Sequence, residues 1–342
     1  MKVIVDAFGG DNAPLEILKG CAEARLEYGC DIMLVGPEDD IRACAVENGI
    51  DLQGMEIRGS GKPIPVEVDP RQINREYKDC SMAVGLRALA DGEGDAFVSA
   101  GSSGALVVGA THFVKRIKGL RSTALATVIP SDTNPYLLLD IGANVNCTPE
   151  TLDTFAMMGS VYMDKVMKVE NPRVGLANIG AESNKGGETL VKAHQLMTES
   201  DKYNFIGNVE FRDIPYGAAD VVIADGFTGN VYLKTLEGTA LMLFGNIKNI
   251  FKKNIVTKLA AAMIMSGLKE LKKKFDFNEY GGAPLMGISK PVIKAHGTSK
   301  AKAFKNAIRQ AIQYSESGVI DTIAENIPKK EAALASEEAA NG

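Results

Sequence analysis

Short runs of apolar, often β-branched residues alternate with segments of helical periodicity along most of this 342-residue chain. Such alternation predicts a mostly parallel sheet with helices on both of its faces. The predicted strands lie at 3–8, 31–35, 55–57, 96–100, 124–129, 136–141, 174–179, 205–209 and 221–224. Helical patterns at 14–28, 39–48, 82–90, 106–117 and 152–166 fill most of the gaps. Because no linker divides the chain, we expect one three-layer α/β/α domain over residues 1–328 and a disordered tail at 329–342.

The composition excludes several classes of protein. A net charge of −5 gives no general attraction to nucleic acid, and the sequence holds no nucleic-acid-binding motif. Five scattered cysteines without a C-x-x-C pair favour a reducing compartment over a disulfide framework or a zinc site. The N-terminal segment is not typical of a signal peptide, and no apolar run approaches the ~18 residues of a membrane span. We therefore expect a cytoplasmic protein without a metal or other cofactor.

Glycine and small polar residues follow five of the predicted strands, at 6–11, 99–104, 140–144, 185–187 and 225–230. Glycine lets the backbone approach a ligand closely, and a helix N-terminus offers unpaired N–H groups to an anion. Because the carboxyl ends of parallel strands share one edge of a sheet, these loops predict a long cleft for a phosphate-bearing ligand. A serine or threonine in such a loop is equally a common helix N-cap.

The common phosphate and hydrolase motifs are absent from the sequence. Gly61-Lys62 is followed by Pro63, which rules out a Walker A loop there. The turn at 101–104 is neither the G-x-G-x-x-G of a dinucleotide site nor the G-x-S-x-G of a serine hydrolase. The residues alone therefore predict an α/β enzyme with an anion-binding edge.

Two stretches of the same build stand out, VGLANIGAESNKGG at 174–187 and VVIADGFTGNVYLK at 221–234. In each, an apolar run gives way to small polar residues and then to a helical pattern. Lys185 is the cation at the first junction, and Asn230 lies in the first turns of the second helix. An ammonium group and an amide could together hold one carbonyl or anionic group. A solvated lysine and an asparagine bonded to local backbone fit the same pattern.

Six blocks carry a family resemblance: VDAFGGDNAP at 5–14, SAGSSGAL at 99–106, DIGANV at 140–145, NIGAESNKGGE at 178–188, DGFTGNVYLK at 225–234, and GGAPLMGISKPVIKAHGTSKAKAF at 281–304. With them the chain resembles, up to about Pro328, the PlsX family of phosphate acyltransferases of bacterial phospholipid synthesis. Phe8 stands where the family usually has Met, and Ser102-Ser103 where it usually has Asn-Thr. Both changes keep the type of side chain, which is apolar at position 8 and small and polar at positions 102 and 103.

The resemblance implies a fold related to isocitrate and isopropylmalate dehydrogenases and to phosphotransacetylase, with a protruding helical pair. It also implies a homodimer loosely associated with the inner face of the cell membrane. The implied reaction transfers a long-chain acyl group from acyl-carrier protein to inorganic phosphate. The acyl phosphate would then serve phosphatidic acid synthesis, with a glycerol-3-phosphate acyltransferase as a downstream partner. Lys185 and Asn230 match positions that the family is thought to use in catalysis.

Elementary chemistry agrees with this reaction. Phosphate dianion is a nucleophile at neutral pH and a thiolate of pKa about 8.5 leaves readily, so a covalent acyl-enzyme is not needed. We expect Lys185 to supply positive charge and Asn230 an amide donor, while His296 is either a general acid or a buried structural residue. The residues expected to bind phosphate or substrate are Asp6, Gly9, Gly10, Gly101, Ser102, Ser103, Gly104, Asn144, Gly186, Asp225, Gly226, Thr228, Gly229, His296, Gly297 and Ser299.

Three other functions stay open at this stage. A phosphotransacetylase acting on short acyl-CoA would share the fold and the chemistry. A metal- and NAD-dependent decarboxylating dehydrogenase would need a cluster of arginines and metal-binding carboxylates, which the sequence does not single out. A non-catalytic scaffold for lipid enzymes at the membrane is the third.

The segment 241–275 differs from the rest of the chain, with eight lysines and one glutamate. Its apolar residues at 247, 251, 255, 259 and 263 have a helical spacing, and Ser266-Gly267 predicts a break. A basic amphipathic surface of this kind suits anionic lipid or an acidic carrier protein. A helical pair in a dimer interface fits equally. The residues expected to make the membrane or carrier contact are Lys252, Lys253, Lys258, Leu259 and Met263.

Overall fold

Eleven strands form a single sheet in the computed structural model, which describes residues 1–274 and 281–327. All nine predicted strands are present. The strands are β1 (Lys2–Asp6), β2 (Asp31–Gly36), β3 (Met55–Gly59), β4 (Ala96–Ser99), β5 (Ala124–Ile129), β6 (Tyr136–Leu139), β7 (Arg173–Asn178), β8 (Asn204–Glu210), β9 (Val221–Ile223), β10 (Ala283–Met286) and β11 (Val292–Lys294). The predicted tail at 329–342 lies outside the described residues.

Helices connect most of these strands, as the alternating pattern predicts. They are α1 (Leu15–Tyr28), α2 (Glu38–Asn48), α3 (Ser81–Ala90), α4 (Ser103–Gly109), α5 (Pro149–Lys165), α6 (Glu188–Glu199), α7 (Gly226–Lys252), α8 (Ile255–Met263), α9 (Met265–Lys274), α10 (Ala301–Glu316) and α11 (Val319–Glu325). The predicted helix at 106–117 is instead α4 followed by a π-helical turn, Ala110–Val114. Across the described ranges, no helix is both long enough and apolar enough to cross a membrane.

The strand order is β3-β2-β1-β4-β11-β10-β5-β6-β9-β7-β8. Most neighbours are parallel, but β10 is antiparallel to β11 and to β5, and β5 is antiparallel to β6. The β6–β9–β7–β8 group therefore runs opposite to the β3–β2–β1–β4–β11 group. The prediction that all five glycine-rich loops share one edge is wrong, because the hairpin between β5 and β6 reverses the chain. We call the edge where β1, β4 and β11 end the first edge, and the edge where β6, β7 and β9 end the second edge.

The residues of each strand point alternately to the two faces of the sheet, and both faces are buried. Val3 and Val5 of β1 pack on one face, against a continuous core that includes α1, α5, α10 and α11. Ile4 packs on the other face, where α3 and α4 cover the first group of strands. On that second face a separate cluster beneath α7 covers β6 and β9, and includes Leu138, Val222 and Leu233. The three-layer prediction is confirmed, with a gap between two helical blocks above β5, β10 and β11.

Two central strands, β10 and β11, were not predicted from the sequence. They have only four and three residues, and glycine and proline surround them. Neither would be stable alone, but each pairs on both sides within the sheet. β11 runs parallel to β4, and its last residue, Lys294, lies beside Ser99. A lysine is thereby placed at the end of a central strand.

The basic segment forms three helices in the described part of the chain, rather than the expected pair. α7 has 27 residues and is about 40 Å long. It ends at Lys252, and Asn254 begins α8 with a capping box in which its side chain accepts from the Thr257 N–H at 3.0 Å. The predicted apolar spacing across 247–263 therefore does not lie on one helix. The next break falls at Ile264, before the predicted Ser266-Gly267, and residue 275 lies outside the described ranges.

Candidate active site

The loop after β6 is built around the buried carboxylate of Asp140. Its oxygens accept hydrogen bonds from the N–H groups of Leu125, Gly142, Ala143 and Asn144, at 2.7–3.1 Å. The Asn144 side chain donates to Asp140 at 2.8 Å and to the Thr123 carbonyl at 2.6 Å. Burial raises the pKa of Asp140, while these hydrogen bonds act against that rise. Asn144, expected at phosphate, has both amide hydrogens committed to holding this loop.

The same loop receives the start of α7. Asp225 is the helix N-cap and accepts from the N–H and the hydroxyl of Thr228, each at 2.8 Å. Gly226 donates its N–H to the Asn144 carbonyl at 2.7 Å. A methyl group on Gly229 would overlap the carbonyl oxygen of Asp140. These residues of the DGFTGN block position the helix, and the Thr228 hydroxyl is already used as a donor.

From the second edge, α7 runs back across the sheet toward the end of β11. Between this helix and the floor formed by β5, β10 and β11 lies a cleft of about 650 Å³, which we call the α7 cleft. Its polar residues include Ser103, Asn230, Lys234, Lys294 and His296. Its apolar residues include Leu125, Ile141, Leu233, Ala240, Leu241 and Phe244. The cleft is the gap between the two helical blocks, and it brings Asn230 and His296 together as parts of one site.

Lys294 lies on the floor of this cleft and is partly buried. Its Nζ donates to the Ala100 carbonyl at 3.3 Å and also to the Ala295 carbonyl. Burial, and next the charge of Lys234, lower its pKa to about 8. Lys294 is not among the residues predicted from the sequence. The available sign was a lysine within the otherwise apolar PVIKA run, an unusual place for a charge.

His296 is exposed to the cleft, so the expectation of a buried structural histidine is wrong. Its Nδ1 lies 2.9 Å from the Thr298 hydroxyl and 3.3 Å from the Thr298 nitrogen, and with Nδ1 as the acceptor of both, the proton of the neutral ring is on Nε2. Nε2 lies 3.4 Å from Nζ of Lys234, whose other close partner is Glu237 at 2.7 Å. Partial burial and the Lys234 charge lower the pKa of His296. Two donors therefore face the same space, an arrangement suited to a shared anionic acceptor.

A second cavity of about 390 Å³ adjoins the cleft at the first edge, and we call it the glycine-rich cavity. Seven predicted residues line it: Asp6, Gly9, Gly10, Gly101, Ser102, Ser103 and Gly297. The buried Asp6 carboxylate accepts from the Ser99 hydroxyl at 2.7 Å and from the Phe8 N–H at 3.2 Å, and burial raises its pKa. Ser103 and Lys294 line both cavities, which therefore meet at these two residues.

Lys185 is on neither lining and stands in the exposed loop that follows β7. Its Nζ lies 4.0 Å from Glu182, and its carbonyl accepts from Asn178 at 3.0 Å. Because β7 is next to β9, this loop and Asn230 share the second edge. The structure thus places Lys185 on the second edge of the sheet but does not bring it into the α7 cleft.

The remaining predicted residues have mainly local contacts. Gly186 has a positive φ of 85°, which the turn before α6 requires. A Cβ on Gly104 would meet Pro70, so close packing excludes a side chain there. Ser299 is buried and donates its N–H to the His296 carbonyl at 3.0 Å. Within residues 1–274 and 281–327, no group of three or more His, Cys, Asp or Glu is arranged to hold a metal ion.

Comparison with known proteins identifies the family of this chain. The model of the family described as fatty acid synthesis protein matches residues 1–322. The chain belongs to this family. Together with its curated relatives, which are named phosphate acyltransferase, this membership confirms the acyltransferase family that the motifs predicted.

Curated relatives of this family cover almost the whole chain. Phosphate acyltransferase from Thermoanaerobacterium thermosaccharolyticum is 47% identical over 327 residues, 96% of this chain and 97% of the relative. Phosphate acyltransferase from Alkaliphilus oremlandii is 44% identical over 327 residues, with the same coverage.

Among solved structures, a phosphotransacetylase from Streptococcus pyogenes aligns with a TM-score of 0.62 at 16% identity, and the alignment covers 94% of each chain. The EutD phosphotransacetylase from Staphylococcus aureus aligns with a TM-score of 0.61 at 15% identity, over 92% of this chain and 94% of that one. These structural likenesses show a shared fold.

Proposed function

We propose that this protein transfers a long-chain acyl group from an acyl-carrier-protein thioester to inorganic phosphate, with acyl phosphate and free carrier thiol as products. The observation that carries the proposal is the α7 cleft, in which a polar end at Lys294 and His296 continues into an apolar wall along α7. The relatives' name, phosphate acyltransferase, supports the same reaction class.

Phosphate would bind at the polar end of the cleft. Lys294 and Lys234 offer positive charge there, and His296 offers the Nε2 proton. The Ser103 hydroxyl lies on the lining common to both cavities. Charged donors that converge in a partly buried site bind a dianion more strongly than the same groups in water do.

The chemical step would be a direct displacement at the thioester carbonyl. A phosphate oxygen forms a bond to the carbonyl carbon, and the C–S bond breaks after a tetrahedral oxyanion collapses. The electron pair of the C–S bond leaves with sulfur as a thiolate, which takes a proton from solvent. Asn230 lines the same cleft and would donate its amide to the oxyanion. No covalent acyl-enzyme is formed.

We retain Lys185 as a catalytic residue of this proposal, acting from the second edge. Its loop is exposed and its nearest acidic partner is 4.0 Å away, so the ammonium group is weakly held. A movement of the loop toward Asn230 would add its charge to the developing oxyanion.

The deciding experiment measures thiol release from long-chain acyl-carrier protein with and without phosphate, beside the same acyl group on CoA. We expect release that requires phosphate and yields a product trapped by hydroxylamine, with the carrier-protein donor faster. A faster CoA reaction would favour a phosphotransacetylase. No release from either donor by folded protein, with lipid present, would contradict the proposal and favour a scaffold.

We further propose that the protein is a cytoplasmic homodimer that associates with the membrane through the basic helices. Lys252, Lys253 and Lys258 are exposed, as are the side chains of Leu259 and Met263. Exposed apolar and basic groups on one short segment suit an anionic lipid surface. Replacement of the three lysines by glutamate should abolish sedimentation with anionic vesicles, and retained binding would contradict this role. A glycerol-3-phosphate acyltransferase is the expected consumer of the product.

A further inference from the structure

The glycine-rich cavity and the α7 cleft are adjacent and share two lining residues, Ser103 and Lys294. We propose that the glycine-rich cavity binds the pantetheine arm of the acyl donor while the α7 cleft holds the acyl chain, an inference that rests on the proposed function. The thioester then lies where the two cavities meet.

The shape of the donor motivates this assignment. A thioester has an arm on each side of its reacting carbon, one an acyl chain and the other the pantetheine thiol. If phosphate binds at Lys294, both arms must extend away from that residue. The structure provides two cavities there, and each has Lys294 on its lining.

The chemistry of the linings decides which arm enters which cavity. The α7 cleft has a wall of Leu233, Leu241 and Phe244, and the distance along the helix from Lys234 to Phe244 is about 15 Å. Burial of each methylene group on such a wall is favourable, because it removes apolar surface from water. Glu237 of α7 is also on the lining but pairs with Lys234 at 2.7 Å, and the apolar rest of this wall suits a long hydrocarbon chain.

The glycine-rich cavity suits a slender, uncharged chain that contains amides. Its lining includes Gly9, Gly10 and Gly101, which have no side chain to fill the space. Gly10 has a φ of +98°, and a Cβ there would lie 2.9 Å from the Gly297 carbonyl. Position 10 therefore cannot accommodate a side chain. Pro63 and Val66 on the lining offer apolar contact to the arm's dimethyl group, and Val66 is 70% exposed at the mouth. The backbone groups, the prolines and the carboxylates of Asp6 and Asp11 on the same lining offer partners to the amides of an uncharged arm.

The test narrows the mouth with Val66→Trp and compares two donors of equal acyl length. One is the acyl-pantetheine thioester, and the other is the acyl-N-acetylcysteamine thioester, whose truncated arm lacks the distal half. We expect the ratio of kcat/KM for the full-arm donor to that for the truncated donor to fall at least tenfold. Val46→Trp is the matched control, because Val46 is 83% exposed and lies on neither cavity. It should keep the wild-type ratio.

A second measurement does not depend on turnover. Free pantetheine should inhibit the wild-type protein competitively against the full-arm donor, and its inhibition constant should rise at least tenfold in Val66→Trp. An unchanged donor ratio together with an unchanged inhibition constant would overturn the proposal.

A third variant tests the opposite assignment. Phe244→Ala should shift the preferred acyl length upward with both donors. If Val66→Trp shifted that length instead, the arms would be exchanged and the proposal would be wrong. Failure of the proposed function looks different, since the wild-type protein would then show no phosphate-dependent release from any donor.

Discussion

Gly229 packs so closely against Asp140 that a single methyl group at position 229 would overlap the Asp140 carbonyl oxygen. The contact joins the first turn of α7 to the loop that follows β6. Since Asn230 is the next residue and Lys234 is one turn further along, this contact fixes where both enter the α7 cleft. Two residues without a direct chemical role thus determine the geometry of the proposed site.

Gly229→Ala should lower the free energy of unfolding by about 3 kcal/mol, because backbone on both sides of the contact must shift. The control is Gly238→Ala on the same helix, where a Cβ meets no atom within 4 Å. That change should raise the free energy of unfolding by up to about 1 kcal/mol, through helix propensity alone. Urea denaturation followed by circular dichroism measures both. Equal effects of the two variants would contradict the packing account.

Lys294→Met should lower kcat/KM for phosphate by roughly 10²–10³-fold, because the variant keeps the aliphatic stem but removes the charge from a partly buried anion site. Lys192→Ala, an exposed lysine on α6 paired with Glu188, is the control and should keep wild-type kinetics. Initial rates over a range of phosphate concentrations distinguish a rise in KM from a fall in kcat. Near-normal phosphate kinetics in Lys294→Met would remove this residue from the proposed site.

The apparent affinity for phosphate should fall as the pH rises above about 8. The pKa of Lys294 is lowered to about 8, so the folded protein carries the charge below this pH and loses it above. Inorganic phosphate stays dianionic through that range, and each further pH unit should raise KM for phosphate by up to about tenfold. Lys294→Arg should flatten the profile, because a guanidinium group stays protonated. An unchanged slope in this variant would assign the pH dependence to another group.

Lys185→Ala and Asn230→Ala should each lower kcat by roughly 10²-fold, if both groups stabilise the oxyanion. Their double variant should lose less than the product of the single effects, because the two groups serve one charge. Glu182→Gln tests the partner of Lys185 and should leave kcat within about twofold. Near-normal turnover of folded Lys185→Ala protein would show that this lysine is a loop residue without a catalytic role.

Local patterning determined much of the fold. The runs that became β1 to β9 have enough apolar residues to identify buried strands, and the helical periodicity between them identifies the covering helices. The Asp225 N-cap and the long helix at Asn230 also follow from short-range chemistry, since a cap acts within three residues of its own position. The conformational preferences of neighbouring residues act over a few positions, so these features can be predicted from the sequence alone.

Only the tertiary structure decided where the site lies. The antiparallel β5–β6 pairing placed the glycine-rich loops on opposite edges, and strand direction leaves no mark in residue periodicity. β10 and β11 are too short to be identified locally and exist because neighbouring strands supply their hydrogen bonds. Lys294 becomes a partly buried cation between two cavities through that pairing, and Lys185 stays outside the cleft that Asn230 enters. Contacts between residues far apart in sequence set these positions, whereas the local pattern specified only the elements that carry them.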